Sequence, residues 1–204
     1  MVLLSGLWAA FQRHAGRIFG FAVLMEIGFT MIAFRLDMQA PQIPALSGIF
    51  YASLLPRCLA MLLASICLGF IGINVPNLEF RSIQGIARQL PLAAIGVLVS
   101  LFTLAGFPLT AGFPPHLALW TTVAQISSAA IIPLMLGISG LLFSSFRCMA
   151  VLLMSPGDQS WKVSETRPIA AAILTLSLAL VLLGIFPNWF IPAMSGMGTL
   201  MGIP

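Results

Sequence analysis

The sequence predicts an all-α integral membrane protein: about five transmembrane helices, a short N-terminal half-helix, and one helix broken at 106–115. Three observations carry this reading. Of the 204 residues, 60% are hydrophobic and only 7% are charged, with a mean hydropathy of +1.08. A water-soluble domain carries about 25% charged residues, and a disordered chain is never this apolar. The apolar residues also fall in runs of about 20, the length a helix needs to cross a bilayer. Finally, the basic residues stand at the ends of those runs. A net charge of +4 distributed in this way points to membrane orientation and away from nucleic acid.

The elements follow in order within a single membrane domain, 1–204. Residues 1–12 are apolar but too short to span, and Gln12-Arg13-His14-Ala15 makes a poor signal-peptide cleavage site. They predict either an interfacial helix or the second half of a span. Full spans are expected at 17–36, closed by Arg35 and Asp37, and at 46–73, which contains Pro56. The run 90–125 is interrupted in its middle by Gly106, Pro108, Gly112, Pro114 and Pro115. Two further spans are expected at 129–154 and 169–186.

If loops alternate sides, one side receives Arg13, Arg17, Arg81, Arg88, Arg147, Lys162 and Arg167, and the other only Arg35. The first side is then cytoplasmic and the C-terminus lies outside, in a multi-pass protein; a bacterial plasma (inner) membrane is the expected location. Trp161, Trp189 and Tyr51 sit near span ends, where interfacial aromatics belong. Cys58, Cys67 and Cys148 form no CxxC and read as small packing residues.

No P-loop, HExxH, GxSxG or Cys/His cluster is present. Gly196-Met197-Gly198 lacks the preceding strand and third glycine of a dinucleotide site. The sequence thus offers no metal site and no cofactor site, and any redox chemistry is expected on other chains.

Three ionisable residues fall inside spans: Glu26, Arg57 and His116. Charge at membrane depth is costly, so each is a candidate for the proton path. Glu26 is either a proton-carrying carboxylate or the partner of a basic residue such as Arg57. Arg57 follows Pro56 and stays charged at neutral pH, so it reads as a counter-ion. His116 closes Leu104-Ala-Gly-Phe-Pro-Leu-Thr-Ala-Gly-Phe-Pro-Pro-His116, where the helix must break at membrane depth. Irregular backbone there is tolerated only inside protein or beside a water-filled cavity, and broken spans are where transporters build ion sites. A histidine after such a break either relays protons or hydrogen-bonds a freed carbonyl. Arg147, near a helix end, reads as a snorkelling side chain.

The same stretch carries a family likeness. Gly85-Ile-Ala-Arg-Gln-Leu-Pro91 followed by Ser100-Leu-Phe-Thr-Leu-Ala-Gly-Phe-Pro-Leu-Thr-Ala-Gly-Phe113 resembles the antiporter-like membrane subunits of respiratory complex I, NADH-quinone oxidoreductase subunit N above all. Arg17-Ile-Phe-Gly-Phe-Ala-Val-Leu-Met-Glu-Ile-Gly-Phe29, Ser145-Phe-Arg-Cys-Met-Ala-Val-Leu-Leu-Met154 and Leu182-Leu-Gly-Ile-Phe-Pro187 fit further family segments in the same order. The likeness covers nearly the whole chain but only the C-terminal portion of the family's subunits. It implies that the half-helix is the end of a span. It also implies that His116 stands where the family carries a proton-conducting Lys or Glu, and Glu26 where it carries a histidine.

The resemblance implies a membrane-arm subunit of a complex I-like NADH/quinone oxidoreductase, a non-catalytic chain contributing to proton translocation. NADH, flavin, iron–sulfur clusters and quinone would be bound by partner subunits. The partners would be other membrane-arm subunits, including a chain supplying the missing N-terminal helices, together with lipid. The alternatives are a truncated structural subunit without pumping, and a subunit of a cation/proton antiporter or membrane-bound hydrogenase built on the same module.

Overall fold

The computed structural model describes residues 1–39, 44–154 and 164–189, with the side chains of 36–49 and of residue 189 excepted. Among the described residues, seven α-helices follow one another: α1 (Val2–Phe11), α2 (Ala15–Gln39), α3 (Pro44–Asn74), α4 (Pro91–Leu104), α5 (Phe113–Ile126), α6 (Ser128–Leu153) and α7 (Arg167–Ile185). Among the described residues, four stretches are long and apolar enough to cross a membrane: Ala15–Arg35, Phe50–Asn74, Ser128–Leu153 and Arg167–Ile185. The all-helical membrane fold expected from composition is what the chain adopts. The expectations for Trp161 and Lys162, for the Asp37 and Trp189 side chains, and for the C-terminal tail beyond 189 lie outside the described residues.

The remaining span is divided between α4 and α5. Each has 14 residues, about 21 Å at 1.5 Å per residue, short of the ~30 Å hydrocarbon core. Between them the chain leaves the helix at Ala105 and re-enters it at Phe113. Gly106 turns there with φ 66°, a left-handed conformation a glycine adopts without penalty. Leu109, after Pro108, also has a positive φ of 72°. Two residues expected to break the helix do not. Pro114 and Pro115 lie in the first turn of α5, where the missing N–H would have no intrahelical acceptor anyway. The break is therefore made by Gly106 to Gly112, and the prolines restart the helix.

The broken segment is held against α7. Ala111 N–H donates to the Leu180 carbonyl at 3.0 Å, and a Cβ on Gly184 would strike the Leu109 and Thr110 backbone. At the other end of α4, the Glu165 carboxylate accepts from Ala93 N–H at 2.9 Å, satisfying one of the donors a helix N-terminus leaves free.

α1 packs along the middle of α6, from Gly137 to Arg147, and both run in the same direction. A Cβ on Gly6 would collide with the Gly137 carbonyl, and one on Gly140 with the Gly6 carbonyl. Small residues bring helix backbones together where lipid supplies no hydrophobic drive. Arg147 is not a free snorkelling side chain. Its Nη1 donates to the Ala10 carbonyl, and its guanidinium lies over Phe80 and Phe143, tying α6 to the end of α1. Cys67 and Cys148 are buried and Cys58 is exposed, all three as free thiols.

Candidate functional site

The chain buries a carboxylate among apolar neighbours and then surrounds it with donors. Glu26, in the middle of α2, is 3% exposed. Arg57 Nε donates to its Oε2 at 2.8 Å, and His116 Nε2 meets its Oε1 at 3.2 Å. Three elements distant in sequence thus converge: α2, α3 beside Pro56, and the first turn of α5. The three candidates for the proton path lie in one cluster.

The arginine is fully engaged. Nη1 donates to Thr30 Oγ1, and Nη2 to Ser53 Oγ at 3.3 Å. Each hydroxyl in turn donates to a helix carbonyl, Thr30 to Glu26 at 2.8 Å and Ser53 to Phe50 at 2.7 Å. Arg57 therefore has a partner on every guanidinium nitrogen, as a charge at membrane depth requires.

His116 is bound on one nitrogen only. The carbonyl freed by the break is not its partner; Glu26 is. Nδ1 is buried and has no hydrogen-bond partner among the described residues. The ring lies against Phe29, with centroids 4.5 Å apart, and stacks on Trp120 at 6.0 Å and 13°. The break sets this position. A Cβ at Gly106 would stand 2.6 Å from His116 Nδ1, and one at Gly112 would collide with the Thr103 carbonyl. The two glycines let the tight turn approach the imidazole from behind.

Beside the triad lies a cavity of about 10 Å³, lined by Ser53, Thr103, Gly112 and Pro115 as well as the charged residues. That volume holds about one water molecule. Among the described residues no group of His, Cys, Asp or Glu could hold a metal ion.

Sequence reading alone missed Thr30, Ser53, Phe29 and Trp120. The signal was available: Thr30 lies four residues after Glu26, Ser53 four before Arg57, and Trp120 four after His116. Each therefore shares a helix face with its triad member.

No protein-family model matches the chain. It is 26% identical over 193 residues to F(420)H(2) dehydrogenase subunit N of Methanosarcina mazei, covering 90% of this chain and 38% of that protein. It is 24% identical over 192 residues to NADH-quinone oxidoreductase subunit N 2 of Syntrophobacter fumaroxidans, covering 92% and 39%. Among solved structures, an archaeal respiratory membrane complex, the membrane-bound sulfane sulfur reductase, contains a chain that superimposes with a TM-score of 0.81 at 16% identity, covering 97% of this chain and 39% of that one. The chain thus spans about two fifths of the length of these relatives. It is similar to subunit N of NADH-quinone oxidoreductase and of F(420)H(2) dehydrogenase over about nine tenths of its own length, the subunit its motifs resemble.

Proposed function

We propose that the chain is a membrane-arm subunit of a complex I-like NADH/quinone oxidoreductase and takes part in proton translocation driven by electron transfer on other subunits. The observation that supports this most directly is the Glu26 carboxylate bridged between Arg57 and His116 beside a broken membrane helix. NADH, flavin, iron–sulfur clusters and quinone belong to the partner subunits in this reading. Other membrane-arm subunits and lipid surround it in this reading. The membrane is a bacterial plasma membrane, with the C-terminus outside.

The triad can change its charge by one proton at a defined atom. With Nε2 facing the carboxylate, the neutral imidazole carries its hydrogen there and leaves the Nδ1 lone pair open. A proton accepted at Nδ1 makes an imidazolium, whose charge Glu26 then shares with Arg57. The second cation weakens the hold of Glu26 on Arg57, and loss of the proton restores it. The N–H bond formed at Nδ1 on uptake breaks on release, so no net chemistry remains. The space beside the triad has room for about one water.

The test is His116→Ala in the assembled complex, reading proton uptake per electron in sealed vesicles. Fewer protons per electron with assembly intact is expected. Unchanged stoichiometry would remove His116 from the path and favour a structural subunit without pumping. Native-gel separation with mass spectrometry of the bands identifies the parent complex and distinguishes a quinone-reducing assembly from an antiporter or a hydrogenase.

A further inference from the structure

A second group of arginines lies at the opposite extreme of environment. Where α1 ends and α2 begins, the chain is stitched to the segment after α3 by Phe80 N–H to the Arg13 carbonyl and Ala15 N–H to the Leu78 carbonyl, both 2.9 Å. Together with the end of α6 these stretches of chain enclose a cleft of about 620 Å³. Four arginines line it, Arg13, Arg17, Arg81 and Arg147, with His14 and one carboxylate, Glu79. No ion pair engages Arg13, Arg17, Arg81 or Glu79 among the described residues. Arg147 is held in place by Ala10 and the rings of Phe80 and Phe143.

The positive-inside bias alone would scatter these arginines around the rim. Instead, three separate segments deliver them to one concavity whose volume matches a small-molecule site. Guanidinium groups recognise phosphate oxygens through paired N–H donors. Apart from Gln84, the rest of the lining is apolar, as the exit of a lipid tail requires. Phe80, Val151 and Met154 line it, and Phe11, Leu153 and Met154 are exposed at the neighbouring helix ends. We propose that this cleft binds the phosphate headgroup of an anionic phospholipid, with its acyl chains running down past the ends of α1 and α6. Basic clefts between membrane helices favour such headgroups by charge and by fit. The site stands on the membrane fold and is independent of proton translocation.

The test uses the full chain purified in mild detergent and mixed with phosphatidylglycerol, phosphatidylcholine or inorganic phosphate, with bound species counted by native mass spectrometry. Retention of phosphatidylglycerol at least tenfold above phosphatidylcholine is expected, with no displacement by millimolar phosphate. The triple variant Arg13→Gln, Arg17→Gln, Arg81→Gln should lose that preference, while Arg35→Gln, at the other end of α2, should keep it. The Lys triple variant, which keeps charge without the paired donors, should fall between them. Equal retention of both lipids, or an unaltered preference in a folded Gln triple variant, overturns the proposal. Phosphate binding that displaces the lipid assigns the cleft to the free ion instead.

Discussion

Two clusters in this molecule use the same residue types and place them in opposite surroundings. In the triad, one carboxylate serves a guanidinium and an imidazole, every guanidinium nitrogen has a partner, and the adjoining space holds about one water. In the cleft, four arginines face one carboxylate across an open volume of about 620 Å³. Burial accounts for the difference. A charge inside the apolar region must be matched by its own chain, because neither water nor lipid can do so. A charge at the rim is solvated by water and can stay available to a ligand. The inner cluster is therefore fully paired except at His116 Nδ1, and the outer one is open apart from Arg147.

The largest effects should come from unbalancing the closed cluster. Glu26→Ala leaves the Arg57 charge buried without its counter-ion, and Arg57→Ala leaves the carboxylate with only His116. Removing one member of a buried pair costs about 3–5 kcal/mol. Either variant should therefore lower the unfolding midpoint in detergent sharply or abolish accumulation of the protein. Charge exchange, Glu26→Arg with Arg57→Glu, should recover part of what each single change loses. A double variant no better than the worse single one would mean that the surrounding hydroxyls, not the pair, set the stability.

Next come the glycines that place the imidazole. Gly112→Ala drives a Cβ into the Thr103 carbonyl, and backbone cannot give way as a side chain can. Overpacking of this kind costs about 1–3 kcal/mol. Gly106→Ala adds the cost of a left-handed alanine, about 1–2 kcal/mol, and presses on His116 Nδ1. Gly20 and Gly69 supply the controls, since a Cβ at either meets nothing within 4 Å. Alanine there should be stabilising, by about 0.5–1 kcal/mol through helix propensity. Thermal unfolding of the four variants separates the two classes; a destabilised Gly69→Ala would show that this face of α3 is covered by another chain.

How far each cluster could be read from the sequence differs for a related reason. An ionisable residue in a long apolar run is conspicuous, so Glu26, Arg57 and His116 stand out in the chain by their setting alone. That they meet, and that His116 turns to Glu26 and not to a freed carbonyl, depends on how α2, α3 and α5 pack, which no local pattern encodes. The helices themselves were legible because hydrophobic length is a strong signal. The limits of the break were less so, because proline both ends helices and begins them, and Pro114 and Pro115 do the second. The half-helix α1 was ambiguous because its glycine contacts with α6 involve residues more than a hundred positions away. The cleft was least legible. Its arginines were visible one by one as orientation signals, and only the crossing of the α1–α2 junction with residues 78–81 gathers them.

The smallest effects are expected from the rim, and they sharpen the contrast most. Arg13 and Arg81 are exposed and have no ion-pair partner among the described residues, so replacing them removes no counter-ion and leaves no buried charge. Surface substitutions of this kind change stability by about 0.5 kcal/mol or less. Arg81→Gln should therefore unfold within measurement error of the parent in lipid-free detergent, where Arg57→Gln does not. Added anionic lipid should then raise the midpoint of the parent and raise it less in Arg81→Gln, since a ligand stabilises only the state that binds it. A parent protein indifferent to that lipid would leave the rim arginines as orientation signals alone, and the contrast between the clusters would reduce to burial.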